Sequence, residues 1–338
     1  MISLLVIAYF SVIWLGLRFQ KSTLAFRIIF VMAWLMIAGN YYNADYDNYL
    51  HKYEVGNELS IDIGFGLICQ FFKNLGFHYL GFKAIVSFVC LWFIFNTISR
   101  LSNKKALYAS LFLLITFIVD ITQFRNFVAY SIVYYAILNL FFKTRFSNLK
   151  FILLILIAAS IHATSIFCLF FILAKFELKW WHIAVGVYIM ASLKLFVTSE
   201  YQLLFETQKV DVRETPTIAG ALFTAMPMLI FSVLFYYCDK YGKTYDAEKI
   251  RIWKNISMLM LLVIPLYFIN TNFSRLFRNM VILNMLFFYD YLTINRIWRS
   301  IFVLAGAVFF TVNNYFSGSY FELVFMPAFR NNLLINII

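Results

Sequence analysis

The sequence predicts an all-α polytopic membrane protein of about 10–12 transmembrane or re-entrant helices. Three observations carry that expectation. Hydrophobic residues fill 63% of 338 positions and charged residues only 13%. The apolar residues recur in runs near the roughly 20-residue length that crosses a hydrocarbon core. Short clusters of Lys and Arg separate the runs, as cytoplasmic connections do under the positive-inside bias. Lys and Arg exceed Asp and Glu by 28 to 16, a net charge of +12. Nucleic-acid binding would need those cations on one folded face, and here they sit in connections between apolar runs. Cys69, Cys90, Cys168 and Cys238 show neither a CxxC nor a Cys/His metal spacing. The N-terminal run Ile2 to Leu17 lacks a basic leader and a small-residue cleavage site, so it reads as a retained first helix.

The elements follow in order, and the whole chain reads as one integral membrane domain. Arg18, Lys21 and Arg27 mark a cytoplasmic turn, which sends a second helix, about Ile28 to Tyr42, outward. The segment 43–62 is then an acidic outer loop with Asp45, Asp47, Glu54, Glu58 and Asp62. Ile61 to Phe77 is apolar but holds Gly64, Gly66 and Lys73, which favours an interfacial or re-entrant helix. Tyr79 to Ile98 crosses inward to Arg100, Lys104 and Lys105. Ala106 to Val119 returns, Asp120 to Asn126 lies at the outer edge, and Phe127 to Phe142 comes back to Lys143, Arg145 and Lys150.

Phe151 to Ala174 is a single apolar stretch broken midway by Ser160, His162, Thr164 and Ser165. As one span it would put Lys175, Lys179 and the basic connection Asp239 to Lys254 outside, against the positive-inside bias. Two half-helices that dip in and return place both connections in the cytoplasm and His162 at the outer apex; this is the preferred reading. Ile183 to Val197 then goes out, 199–217 forms an outer loop, Ile218 to Tyr237 returns and Ile256 to Ile269 goes out again. Outer loops at 270–279 and about 315–330 flank a helix ending near Arg296 and Arg299 and a last span from Ile301. One parity puts Asp45, Arg125, His162, Arg275 and Arg278 on the outer side.

Ionisable groups at membrane depth are functional candidates by default. Arg275 and Arg278, three apart, share a helix face, and two planar guanidinium forks suit phosphate oxygens. The alternative is snorkelling to lipid headgroups. Arg125 is a further anion contact or a structural ion-pair partner of Asp120. His162 can move a proton or bind phosphate near neutral pH; the alternative is a packing group hydrogen-bonded to Ser160 and Thr164. The tyrosines beside Asp45 and Asp47 can stack on sugar faces. No Walker A loop, Rossmann glycine pattern, HExxH or G-x-S-x-G elbow is present.

The motifs Asp45-Tyr46-Asp47-Asn48-Tyr49 with Tyr53, Asp62-Ile-Gly-Phe65, Asp120-Ile-Thr-Gln-Phe-Arg-Asn-Phe-Val-Ala129, Ser160-Ile-His-Ala-Thr-Ser165 and Ser274-Arg-Leu-Phe-Arg278 occur in the order seen in the EpsG family. The chain resembles these Wzy-like oligosaccharide repeat-unit polymerases over nearly its whole length. It departs from them at Asp62, where Glu is frequent, at Asn126, where Gln is frequent, and at Ala163, where Lys is frequent. The resemblance implies a GT-C-like glycosyltransferase at the outer face of the bacterial inner membrane. It joins undecaprenyl-diphosphate-linked oligosaccharide donors and acceptors, with a chain-length regulator as an additional partner. On that basis Arg275, Arg278 and Arg125 would hold the diphosphate, and His162 would bind phosphate or move a proton. Asp45 or Asp47 would orient or deprotonate the acceptor hydroxyl. Tyr46, Tyr49, Asp62, Asp120 and Gln123 would line the sugar site. No cofactor or metal is required, since arginines can balance the charge that builds on the leaving phosphate; the acidic loop leaves a divalent cation open. Two rival classes remain, a lipid-linked oligosaccharide flippase without catalysis and a membrane O-acyltransferase.

Overall fold

The computed structural model describes residues 2–55, 62–142, 144–196, 218–268, 273–316 and 320–336. These residues are almost wholly helical, and no named strand occurs among them. The outer loop expected at 199–217 lies outside the described residues, as do 56–61, 270–272 and 317–319 of the other three. In chain order the helices are α1 (Ile2–Arg18), α2 (Thr23–Gly39), α3 (Tyr46–Val55), α4 (Ile63–Asn74), α5 (Tyr79–Leu101), α6 (Lys105–Thr122), α7 (Phe124–Phe141) and α8 (Ser147–Ile161). A 3₁₀ helix at Ala163–Lys175 leads to α9 (Trp180–Phe196), α10 (Ile218–Lys240), α11 (Ala247–Tyr267), α12 (Ser274–Tyr291), α13 (Arg296–Phe316) and α14 (Met326–Arg330). Four of the described helices are long and apolar enough to cross a membrane: Tyr79–Leu101, Lys105–Thr122, Ala247–Tyr267 and Arg296–Asn313. The chain is thus an all-α polytopic membrane protein. It folds as two compact units, Met1–Ile166 with Asn295–Ile338, and Phe167–Ile294.

The first unit is built around α6, nearly all of which is buried. At Gly16 of α1 a β-carbon would come within 2.1 Å of Ser110 Oγ and 2.7 Å of the Ala106 carbonyl, so only glycine lets α1 approach α6 so closely. A π-turn at Leu113–Phe117 widens α6, and such turns leave backbone carbonyls to find other donors. The Tyr9 hydroxyl donates to Leu113 O at 2.6 Å and Thr311 Oγ1 to Leu114 O at 3.2 Å. The 12-residue α4 rises about 18 Å, too short to span, as expected for an interfacial or re-entrant piece.

The structure adds helices where connections were expected. The acidic 43–62 segment carries α3, and the C-terminal segment folds back so that Asn332 pairs with Asn40. The second half of the basic connection Asp239 to Lys254 is the opening of α11. There Asp246 accepts the Lys249 N–H at 3.0 Å and fixes the helix start nine residues before Ile256, where the apolar run begins.

The 3₁₀ helix enters the second unit at Phe167, and its 13 residues rise about 26 Å, against about 20 Å for an α-helix of that length. Phe167 packs edge-on against Phe273 at 5.3 Å, and Asn255 Nδ2 donates to Ala174 O at 2.9 Å and Phe176 O at 2.7 Å. The 3₁₀ helix therefore runs antiparallel to α11, and Lys175 and Lys179 finish at the end holding Lys243, Lys249 and Lys254. The core is polar at one point: Trp253 Nε1 and Ser257 Oγ both donate to Asn284 Oδ1 at 3.0 Å.

Candidate active site

Asp62, directly before α4, is 8% exposed and joins three distant motifs. One carboxylate oxygen sits 2.5 Å from Arg125 Nη1, at the start of α7. The other accepts the backbone N–H of Ala163 at 3.0 Å. In a continuous helix that N–H would serve the Ala159 carbonyl four residues back. Asp62 replaces it, so a carboxylate 101 residues away caps the 3₁₀ helix and lets α8 end at His162 without proline or glycine. His162 itself is extended, with φ −146° and ψ 108°.

Gly64 makes the approach possible. A β-carbon there would lie 2.2 Å from Ser160 Oγ and 2.9 Å from the Ser160 backbone carbonyl carbon. Gly64→Ala should therefore lower stability by about 1–3 kcal/mol, because a backbone atom cannot yield as a side-chain tip can. Thermal unfolding of the purified variant reads this directly, and an unchanged midpoint would show that α4 and α8 can separate freely.

The remaining candidates of this unit divide by burial. His162 is buried. Its expected packing partner Ser160 donates its hydroxyl to Ile157 O at 2.8 Å. Asp45 opens α3, its carbonyl accepting the Tyr49 N–H at 3.1 Å. Asp47 is exposed, and its carboxylate takes the Tyr42 hydroxyl at 3.3 Å. Tyr49 is buried against Phe65 at 5.9 Å, while Tyr46 is half-buried against Tyr79. Asp120 is buried near the end of α6, and Gln123 is the non-helical link between α6 and α7. Arg125 pairs with the Asp62 carboxylate.

Two cations escaped the sequence reading. Lys52 lies seven residues after Asp45 on α3, close to the same helix face, half-buried in a field set by Arg125, Asp62 and Asp45. Burial, then the like charge of Arg125, hold its ammonium below the ordinary lysine value. No sequence signal separates it from a solvated loop lysine. Lys83 is 1% exposed within the apolar run of α5, and the criterion that singled out Arg125 applies equally to it.

Arg275 and Arg278 stand in the first two turns of α12, both half-buried. Thr244 bridges to Leu292 just past the far end of that helix. Within the second unit the two arginines are therefore at the end opposite Lys243, Lys249 and Lys254. Among the described residues no three His, Cys, Asp or Glu side chains gather as a metal site.

Buried or half-buried ionisable groups thus stand near helix ends in each unit of a polytopic helical membrane protein. The chain belongs to the EpsG family, whose family model matches residues 23–327. This is a family of Wzy-like polysaccharide polymerases. No curated protein and no solved structure matches the chain.

Proposed function

We propose that this protein polymerises oligosaccharide repeat units carried on undecaprenyl diphosphate, at the outer face of the bacterial inner membrane, with a GT-C-like architecture. The growing glycan is transferred from its lipid diphosphate to a hydroxyl of the incoming lipid-linked unit. The bond between the anomeric carbon and the phosphate oxygen breaks, the new glycosidic bond forms, the acceptor proton passes to a base and the lipid diphosphate leaves. Arg275 and Arg278 bind the departing diphosphate with guanidinium forks. Arg125 and Lys52 form a second cationic contact. His162 binds phosphate or takes the proton, and Asp45, with Asp47 nearby, orients the acceptor. Tyr46, Tyr49, Gln123 and Asp120 contribute to sugar binding, with the tyrosine rings suited to stack on sugar faces.

The observation that carries this reading is the Asp62 joint, which fixes Arg125 and the His162 break to one point beside α3. Because its two carboxylate oxygens meet Arg125 and the Ala163 N–H, we assign Asp62 a positioning role beside the sugar site. Preorganised cations are what a developing phosphate charge requires. Deletion of the protein should leave single repeat units on lipid at the outer face. Units trapped at the cytoplasmic face would instead make it a flippase, and loss of acyl groups from an intact polymer would make it an O-acyltransferase.

Lys52 gives the site a pH signature. Its charge contributes to anion binding at neutral pH and is lost as pH rises through a value below that of an ordinary lysine. KM for the lipid-linked donor should therefore rise with pH before the range in which an ordinary lysine loses its proton. Lys52→Arg should move that limb upward, since a guanidinium keeps its proton. Identical profiles for wild type and Lys52→Arg would remove Lys52 from the site.

A further inference from the structure

Lys83 is a cation that the proposed mechanism does not use. It stands one turn into α5, 1% exposed, and a Met or Leu of similar volume would avoid the cost of burying an ammonium. Among the described residues no carboxylate pairs with it. Its Nζ donates instead to the backbone carbonyl of Asn40 at 2.7 Å, with Asn40 Oδ1 at 3.4 Å. Asn40 caps the C-terminus of α2, where the helix dipole presents its negative end, so the cation meets partial negative charge there.

The network continues outward. Asn40 Oδ1 also accepts from Asn43 Nδ2 at 2.7 Å, and Asn43 Oδ1 accepts the backbone N–H of Asp45 at 3.1 Å. Asn40 Nδ2 lies within 3.1–3.3 Å of the Tyr42, Pro327 and Asn331 carbonyls, which ties the C-terminal segment to the same point. Asn40 is wholly buried and Asn43 is 5% exposed, so each amide has little water to exchange partners with.

We propose that Lys83 is a positioning residue that sets the place of Asp45 through Asn40 and Asn43. The proposal rests on the polymerase reading for its consequence, since Asp45 is the residue that orients the acceptor. Lys83 touches no substrate. Its charge locks the amide pair that fixes the start of α3.

The test uses the full-length protein in lipid nanodiscs and has two arms. In the first, amide hydrogen exchange is followed at Asp45 in wild type and Lys83→Met, without substrate. Exchange at Asp45 should accelerate about tenfold or more while the α5 amides keep their protection. Unchanged exchange at Asp45 would overturn the proposal. In the second, turnover of lipid-linked repeat units should fall about tenfold in Lys83→Met at unchanged KM. Asn43→Ala should lose as much, and the double variant no more than either alone, because both cut one chain of contacts. Additive losses would overturn the proposal. Should Lys83→Met fail to accumulate, Asn43→Ala carries the test, and wild-type turnover by that variant would overturn it. Absence of any polymer from wild type sinks the polymerase reading and leaves the exchange arm standing.

Discussion

Arg125→Met should destabilise the protein by about 3–5 kcal/mol, because it leaves the buried Asp62 carboxylate facing an apolar side chain. The effect should exceed that of Asp62→Asn. An asparagine Oδ1 still accepts the Ala163 N–H, so the 3₁₀ helix keeps its cap while Arg125 alone loses its partner. A double variant, Asp62→Asn with Arg125→Met, should recover much of the loss, since no buried charge is then unpaired. Chemical denaturation of the purified variants in one detergent measures all three. A double variant as unstable as the sum of the singles would mean that Asp62 and Arg125 are not coupled.

His162→Ala should abolish polymer formation, a loss of at least about 100-fold, with insertion and abundance intact. The joint survives the change, because Asp62 grips the backbone of Ala163 and not the imidazole. His162→Gln should recover little, since an amide cannot change charge. A packing histidine predicts the reverse, with Gln restoring activity through hydrogen bonds of its own. Turnover is read from purified lipid-linked repeat units with and without chelator, which also tests for a divalent cation. Near-normal turnover by His162→Gln would leave the cations as the whole catalytic case.

The all-α polytopic class was legible because apolar run length obeys bilayer physics. The break at His162 was signalled by Ser160, Thr164 and Ser165 within an apolar stretch. Its cause was not, since nothing local marks Asp62 as the cap of a helix 101 residues later. The same distance effect hid a partner of Arg125: the sequence points to Asp120, five residues before it, and nothing local points to Asp62, which the fold brings to the guanidinium. The early start of α11 was missed because its first turns carry Glu248, Lys249, Arg251 and Lys254, which read as loop until Asp246 is seen to cap them. Lys52 and Lys83 were passed over for opposite reasons. One looks like any loop lysine; the other sits inside an apolar run, where the criterion applied to Arg125 would have found it.

The central claim is catalysis on a lipid diphosphate, and reconstitution tests it most directly. Wild-type protein in nanodiscs, given only undecaprenyl-diphosphate-linked repeat units, should yield a ladder of longer lipid-linked glycans. It should release one undecaprenyl diphosphate for each bond formed, and Arg278→Lys should suppress both products together. Units that remain single, with no lipid diphosphate released by well-folded wild-type protein, would contradict the account.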